Sequence, residues 1–340
     1  MTRGLSRHQV VDYCFECGSE ELRRLLGAAY RVRSENFPNT IQFYFPGMVH
    51  FEASFHRAVN PYRFPAVSVT GKACQLNCDH CKGRLLRSMM PAKKPRQLYE
   101  AALKVKKEGG AGVLVSGGSL ADGSVPLKPF FSVMRKIKDE LGLSVVVHTG
   151  LVDEETAEGL ASAGVDCAMI DVVGSNETIR EILHLNRGVE EYIRSLELLE
   201  LHGVPLAPHI VVGLHRGMLR GEREALKAIC ERKVSALVIV VLTPFESTES
   251  PPSIRDALRV IVAARMMKPK TPLLLGCARP KGKYKDALDV LSIKAGVNGI
   301  AYPSEVAYRV AVRRNLSVKL HDECCSLAWR DTNSSLFGVS

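Results

Sequence analysis

The sequence predicts an α/β protein built as a parallel (β/α)8 barrel, and three observations carry that expectation. Eight strand-length apolar runs lack the in-out alternation of a half-exposed strand, so each reads as buried on both faces. They alternate with amphipathic stretches of helical period, the pattern of repeated βα units. Polar and cysteine residues gather just behind the runs, where the loops at the C-terminal mouth of a barrel belong.

Residues 1–60 precede this pattern and read as an N-terminal extension. It comprises a Cys14-Phe-Glu-Cys17 pair, a helix over Glu20–Tyr30, and a strand over Asn39–Phe45 stopped by Pro46-Gly47. The barrel is expected over 61–316. Its strands are Pro65–Thr70, Gly112–Ser116, Ser144–His148, Cys167–Asp171, Pro208–Gly213, Ala236–Leu242, Pro272–Gly276 and Asn298–Tyr302. The helices between and after them are Leu98–Lys107, Phe130–Glu140, Glu154–Ser162, Val189–Leu201, Arg223–Glu231, Ile254–Met267, Tyr284–Lys294 and Glu305–Arg314. Closing eight such units takes roughly 235 residues, near the usual size of the fold. A partial barrel of six units, with the last two runs packed outside, is the alternative. Residues 317–340 form a tail containing Cys324-Cys325, and both extensions are expected to fold over the mouth.

With 340 residues, 46% hydrophobic and 24% charged, the chain has material for a large core. No run approaches a membrane span, and Met1–His8 lacks the apolar centre of a signal peptide, so a cytoplasmic protein is expected. Ten cysteines in that setting point to metal ligation rather than disulfides. The net charge of +10 comes without an RNA-binding signature or a long basic run, which argues against nucleic acid and reads first as a solvated basic surface; if the excess has a use, an acidic protein or carboxylate partner fits better.

Behind the first run stands Cys74-Gln-Leu-Asn-Cys78-Asp-His-Cys81, a C-x3-C-x2-C trio. A closed zinc site or a ferredoxin-type cluster takes four protein ligands, so three thiolates leave one metal position open. This spacing resembles the radical S-adenosylmethionine (radical SAM) enzymes. The resemblance implies a 4Fe-4S cluster on Cys74, Cys78 and Cys81 whose fourth iron binds the amino and carboxylate groups of S-adenosylmethionine. A zinc-ribbon fragment is the plain alternative. Several cofactor contacts follow from the same resemblance. Ser116-Gly117-Gly118-Ser119 stands where the family usually has Gly-Gly-Glu, with Ser119 replacing the carboxylate. His80 takes the place of an aromatic near the adenine, and Ile210-Val-Val-Gly213 that of the apolar segment packed on it. Asp171 is a candidate contact to the ribose or methionyl part, and His148 closes the third strand beside it.

Cys167 and Cys230 read as small core residues. Cys277 ends the seventh strand, and adjacent Cys324 and Cys325 lie in a polar tail where only a strained linkage would join them. Together with Cys14 and Cys17, they are candidate ligands of a second iron-sulfur cluster over the mouth, with a small zinc site at the termini as the alternative. Residues Val67–Gly83, Cys277-Ala-Arg-Pro280, Ala295–Ser304 and Cys324-Cys325-Ser326 are similar to the two-component lipoyl synthases. The N-terminal C-x4-C-x5-C triplet of the single-chain lipoyl synthases is missing here. That likeness implies sulfur insertion into a protein-bound octanoyl chain. It also implies a second radical SAM subunit, an octanoylated carrier protein and a low-potential electron donor as partners. The alternatives are a biotin-synthase-like or other one-cluster radical SAM enzyme on a small molecule, and a noncatalytic iron-sulfur scaffold or electron carrier.

Overall fold

A computed structural model describes residues 4–47, 49–245 and 250–330; the last ten residues of the expected tail lie outside the described residues. All eight expected strands form, and they stand side by side in chain order. These are β4 (Ala66–Ser68), β6 (Gly112–Ser116), β7 (Ser144–His148), β8 (Cys167–Asp171), β9 (Leu206–Val212), β10 (Leu237–Val241), β11 (Leu273–Leu275) and β12 (Gly299–Ala301). A two-residue strand β5 (Met90–Pro91) flanks β4 on one side. On the other side β1 (Thr40–Tyr44) pairs with β12, and β13 (Ser317–His321) pairs with β1. Every pairing in this 11-stranded sheet is parallel. β10, Leu-Val-Ile-Val-Val, is buried at all five positions, because helices cover one face and the lumen side is packed as well.

The helices are α1 (Arg7–Glu16), α2 (Ser19–Asn36), α3 (Pro95–Lys107), α4 (Phe131–Leu141), α5 (Glu154–Ser162), α6 (Asn176–Glu181), α7 (Val189–Leu201), α8 (Glu222–Cys230), α9 (Ile254–Met267), α10 (Lys283–Lys294) and α11 (Glu305–Arg313). Local chemistry sets several boundaries. Asp153, Ser175, Ser253 and Ser304 accept backbone N–H groups at the starts of α5, α6, α9 and α11. Gly142, at φ +62°, ends α4 in the left-handed conformation. Two arginines are buried where helices meet strand ends. Arg265 donates to the carbonyls of Gly296 and Thr271 and to Asn298, and Arg279 forms a fork with Asp289 at 2.6 and 3.1 Å.

The α/β barrel-type architecture stands as a curled half-barrel sheet in which β4 and β12, the first and eighth expected strands, do not pair to close a ring, and the termini are used differently from the expectation. The N-terminal segment does not lie across the mouth as one piece. Its helix α1 packs on α8 and α9, outside the sheet; α2 packs on α9 and α10; and β1 is a strand of the sheet itself. The antiparallel hairpin of β2 (Phe51–Ala53) and β3 (His56–Ala58) reaches the exit of β12 through Phe51 on Tyr302 and the helix behind it through Phe55 on Tyr308. The C-terminal tail goes inward. After β13 its 3-10 turn, Cys325–Leu327, touches both β8 and β12. Those strands are four places apart in the sheet, so the sheet curls around the turn. Ser326 and Leu327 are fully buried, and Arg330 reaches Asp166 and Ser144 at the strand entrances opposite the mouth.

Candidate functional site

Strand β4 delivers the chain into the cysteine loop, which is held by backbone bonds rather than by a helix. Lys82 N–H donates to the Cys78 carbonyl at 2.8 Å, Arg84 N–H to Cys81 at 2.8 Å, Gln75 N–H to Ser119 at 2.8 Å and Asp79 N–H to Ile182 at 2.9 Å. The loop therefore spans from the exit of β6 to the segment behind α6. Cys74 and Cys81 are half-buried and Cys78 is buried, and all three line one cavity of about 270 Å³. His80, Gly117, Gly118, Ser119, His148 and Asp171 line it too, and Gly213 does not.

Gly213 is a correction. It is buried, at φ +76°, and a Cβ there would sit 2.7 Å from Pro252. It turns the chain out of β9, while its neighbours Val211 and Leu214 supply the wall of the cavity. Glu222, buried at the start of α8, fastens that turn: its carboxylate accepts the N–H groups of Gly213 and Arg220, each at 2.7 Å. Burial pushes this carboxyl up to about 7, against the pull of the two backbone donors.

The Gly-Gly segment is a cradle in the strict steric sense. A Cβ on Gly118 would lie 2.1 Å from the Ala73 carbonyl oxygen and 2.6 Å from Cys74 Cβ. Gly118 N–H also donates to Thr70 Oγ1 at 2.7 Å, fixing the β6 exit against the cysteine loop. His80 Nδ1 is buried without a hydrogen-bond partner among the described residues, a polar atom left for a bound group.

Deeper in the lumen, His148 Nε2 stands 3.5 Å from Asp171 Oδ1, and the His209 ring meets the His148 ring edge-on at 5.8 Å. Burial disfavours the Asp171 charge, but His148, His209 and His80 outweigh it and hold the carboxyl down at about 2. Burial also pulls His148 down, and Asp171, by charge and hydrogen bond, more than offsets this. His209 has less help from Asp171, and burial drops it to about 4.

Beneath this pair lies a second group of sulfurs. Cys324 Sγ is 4.0 Å from Met169 Sδ on β8 and accepts from Ser326 Oγ at 3.2 Å. The Cys325 thiol donates to Cys324, which lowers Cys324 and raises Cys325, and Cys325 also feels Cys277 and Cys167. Cys277 is exposed, and its thiol lies close enough to Cys324 and Cys325 for their charges to act on one another. Three of the five candidate auxiliary ligands thus converge, and Cys167, expected to be an ordinary core residue, joins them.

Cys14 and Cys17 do not. Both are buried where α1 meets α9, Cys14 on the helix and Cys17 as the extended residue that ends it, and Arg259 donates to the Cys14 and Cys17 carbonyls at 2.9 and 2.7 Å and approaches Cys17 Sγ at 3.6 Å. A helix on the outside of the ring cannot bring its thiols into the lumen, so the pair drops out of the ligand set.

The donor chemistry fits an iron-sulfur cluster better than a lone zinc ion. A tetrahedral zinc with 2.3 Å bonds needs its sulfurs roughly 3.8 Å apart. Among the described residues, the trios whose donor atoms all lie within 4.8 Å of one another are His8–Cys230–Glu231 and Glu177–Glu181–His215, both outside the cavity. Cys74, Cys78 and Cys81 do not meet that spacing, so the three thiols are not set for a single ion.

Residues 68–225 match the family model described as the Radical SAM superfamily. Among curated relatives, the biotin synthase of Prochlorococcus marinus (strain MIT 9515) is 27% identical over 271 residues, covering 74% of this chain and 78% of the relative. The biotin synthase of Burkholderia mallei (strain SAVP1) is 25% identical over 250 residues, covering 69% and 72%. Among solved structures, methylornithine synthase (PylB) superposes with a TM-score of 0.62 at 15% identity, over 93% of this chain and 94% of that one. The FeFe-hydrogenase maturase HydG from Carboxydothermus hydrogenoformans gives 0.64 at 13%, over 93% and 76%. Likeness at these identities shows the fold.

Proposed function

We propose that this chain, which carries a Radical SAM superfamily domain over residues 68–225, inserts sulfur at unactivated carbon of an aliphatic substrate. The observation that carries the reading is the second set of thiols, Cys167, Cys277, Cys324 and Cys325, inside the barrel that holds Cys74, Cys78 and Cys81. When bound, a 4Fe-4S cluster with S-adenosylmethionine supplies a 5'-deoxyadenosyl radical, and an auxiliary cluster supplies sulfur.

The chain's own residues supply position and exclusion of water. Cys74, Cys78 and Cys81 offer three thiolates and leave one coordination position for the cofactor. Gly117 and Gly118 let backbone approach closely, and Ser119 offers a hydroxyl where a cationic amino group is expected. Leu76, Leu86, Met89, Leu114 and Val211 form an apolar wall that shields a carbon radical from water. His148, Asp171 and His209 make a polar belt between the two sulfur groups.

Two substrates suit this chemistry. The similarity of the cysteine loop and tail to two-component lipoyl synthases favours a protein-bound octanoyl chain, with a second radical SAM subunit and an octanoylated carrier as partners in the cytoplasm. The biotin synthase relatives favour a biotin-synthase-like reaction on a free small molecule.

Anaerobically reconstituted protein, given a strong reductant, decides between them. Wild type is expected to form 5'-deoxyadenosine, and Cys74→Ala, Cys78→Ala or Cys81→Ala to abolish it. The triple variant at those positions should keep about four irons, the complement of one cubane cluster. Cys277→Ala, or Cys324→Ala with Cys325→Ala, should still cleave S-adenosylmethionine but transfer no sulfur. Mass spectrometry of an octanoyl-lysine peptide against a free precursor such as dethiobiotin then identifies the substrate class. A triple variant free of iron removes sulfur insertion and leaves one-cluster chemistry.

A further inference from the structure

We propose that Glu177 and Glu181 of α6 and His215, in the loop behind β9, bind a divalent first-row metal ion at the rim of the barrel. The three residues lie outside the sulfur-lined cavity, so the site does not rest on the chemistry proposed above. Glu177 and Glu181 stand one turn apart on α6, so both carboxylates leave the same face of the helix, where like charges repel. One carboxylate oxygen of each and a ring nitrogen of His215 lie within 4.8 Å of one another. A single ion with donor distances of about 2.1 Å would draw these atoms to roughly 3 Å apart, which side-chain rotation allows.

His215 is what distinguishes the trio from an ordinary acidic surface. It is 4% exposed, while the two carboxylates are half-buried. Its Nδ1 lies 3.1 Å from Thr178 Oγ1, and that hydroxyl lies 3.2 Å from the Arg220 carbonyl. A carbonyl only accepts, so the hydroxyl proton goes to Arg220 and Oγ1 accepts from Nδ1–H. The ring is thereby fixed as the tautomer with a lone pair on Nε2, which has no hydrogen-bond or ion-pair partner among the described residues. A metal-binding imidazole is oriented in this way, by an oxygen that takes the proton of its other nitrogen. Arg220 reaches Glu177 Oε2 at 2.9 Å and Arg180 reaches Glu181 Oε1 at 3.6 Å; both arginines are exposed, and each carboxylate keeps its other oxygen. Two carboxylates and one imidazole suit Mn²⁺, Fe²⁺ or Zn²⁺, with the remaining positions left to water. The place of the trio gives the ion a structural use. α6 leads directly into Ile182 and Leu183, whose carbonyls accept from Asp79 N–H at 2.9 Å and from the Cys78 thiol at 3.6 Å. Leu183 and Leu185, after α6, and Leu214, beside His215, all line the cavity. An ion joining α6 to the loop behind β9 therefore braces the segment on which the cysteine loop leans.

The probe is Mn²⁺ added to the chelator-treated full chain, chosen because thiolates hold it poorly. Loss of the free-ion paramagnetic resonance signal counts the bound metal. Wild type should bind about one Mn²⁺ per chain, and Zn²⁺ should displace it. Glu181→Gln or His215→Gln should weaken binding by about tenfold or more. Thr178→Val, which frees the ring, should weaken it by about tenfold, and Thr178→Ser should restore it. His8→Ala with Glu231→Ala, which removes two donors of the other trio, should leave binding unchanged. Circular dichroism checks each fold, and Glu177→Gln, at a half-buried position, serves in place of a buried change that unfolds the chain. With Mn²⁺ bound, amide exchange over residues 182–185 should slow by about tenfold in wild type and stay unchanged in Glu181→Gln. A wild type that takes up no Mn²⁺ overturns the proposal, as does equal affinity in Glu177→Gln and Glu181→Gln. Several weak sites retained by every variant mean an adventitious ion only, which overturns it too. A chain that binds Mn²⁺ through these residues yet makes no 5'-deoxyadenosine refutes the catalytic reading and leaves the metal site standing.

Discussion

Glu222→Gln isolates one buried charge and gives a stability difference whose sign changes predictably with pH. The folded protein holds this carboxyl at about 7, against an ordinary value of 4.5, because burial penalises its charge more than the Gly213 and Arg220 N–H groups repay. Between those two values the folded state keeps a proton that the unfolded state has lost, so stability falls as pH rises through the window. A shift of that size corresponds to about 3 kcal/mol, fully present below about pH 4.5 and gone above about pH 7. Glutamine carries no charge and has no such slope, but its single acceptor serves only one of the two donors, a loss of about 1–3 kcal/mol at every pH. Urea unfolding of the cluster-free chain at about pH 4.5 and about pH 8 should therefore show wild type ahead at the acid end, with the gap closing or reversing by about 3 kcal/mol at the other. A gap that stays constant, or widens with pH, would mean that Glu222 is not held protonated by burial.

Two further changes probe the sulfur sites. Gly118→Ala places a methyl 2.1 Å from the Ala73 carbonyl oxygen and should push the cysteine loop aside; iron bound by the Cys324→Ala/Cys325→Ala background should fall to near zero with the circular dichroism unchanged. Normal iron in that variant would show that the loop moves freely. Arg330→Met removes the anchor to Asp166 and Ser144 that holds the tail in the lumen, so maleimide labelling of Cys324 and Cys325 in the cluster-free chain should accelerate by about tenfold or more, as local opening becomes easier. Unaltered labelling would place the anchor elsewhere in the tail.

The eight central strands were legible because strands buried on both faces leave apolar runs with no alternation, and their helices keep a clear 3.6 period. β1 was legible as a strand but not as a barrel member. Its partners are Gly299–Ala301 and Ser317–His321, and nothing local in Thr-Ile-Gln-Phe-Tyr announces pairing across most of the chain. β13, mostly exposed or half-buried, reads as polar tail for the opposite reason: edge strands need few apolar residues. In the site, cysteine spacing located the loop, since three thiols that close have few structural uses. Cys14 and Cys17 misled because a C-x2-C pair also fits the end of a helix, where both simply pack against α9. Cys167 is the core residue it was read as, and His209 was missed although a signal existed. Side chains alternate along a strand, so Cys167 and Met169 share the face of Asp171, and His209 pairs in register with Asp171. Glu222 left no such trace, because its partners are backbone groups nine and two residues before it.

The position of β1 between β12 and β13 also fixes an order of events during synthesis. The strand leaves the ribosome long before its partners: it has no neighbour until Gly299–Ala301 is made, and no second one until Ser317–His321 follows. Ile41, Phe43 and Tyr44, buried in the finished protein, must wait uncovered while the rest of the sheet assembles. Parallel pairing across such separation is slow to form and leaves a sticky nascent chain. The lumen is meanwhile open on that side, and the residues that fill it, Cys324 to Arg330, emerge later still. The chain order therefore leaves a period in which Cys74, Cys78 and Cys81 are already synthesised while the segment that fills the interior, with Cys324 and Cys325, is not yet made.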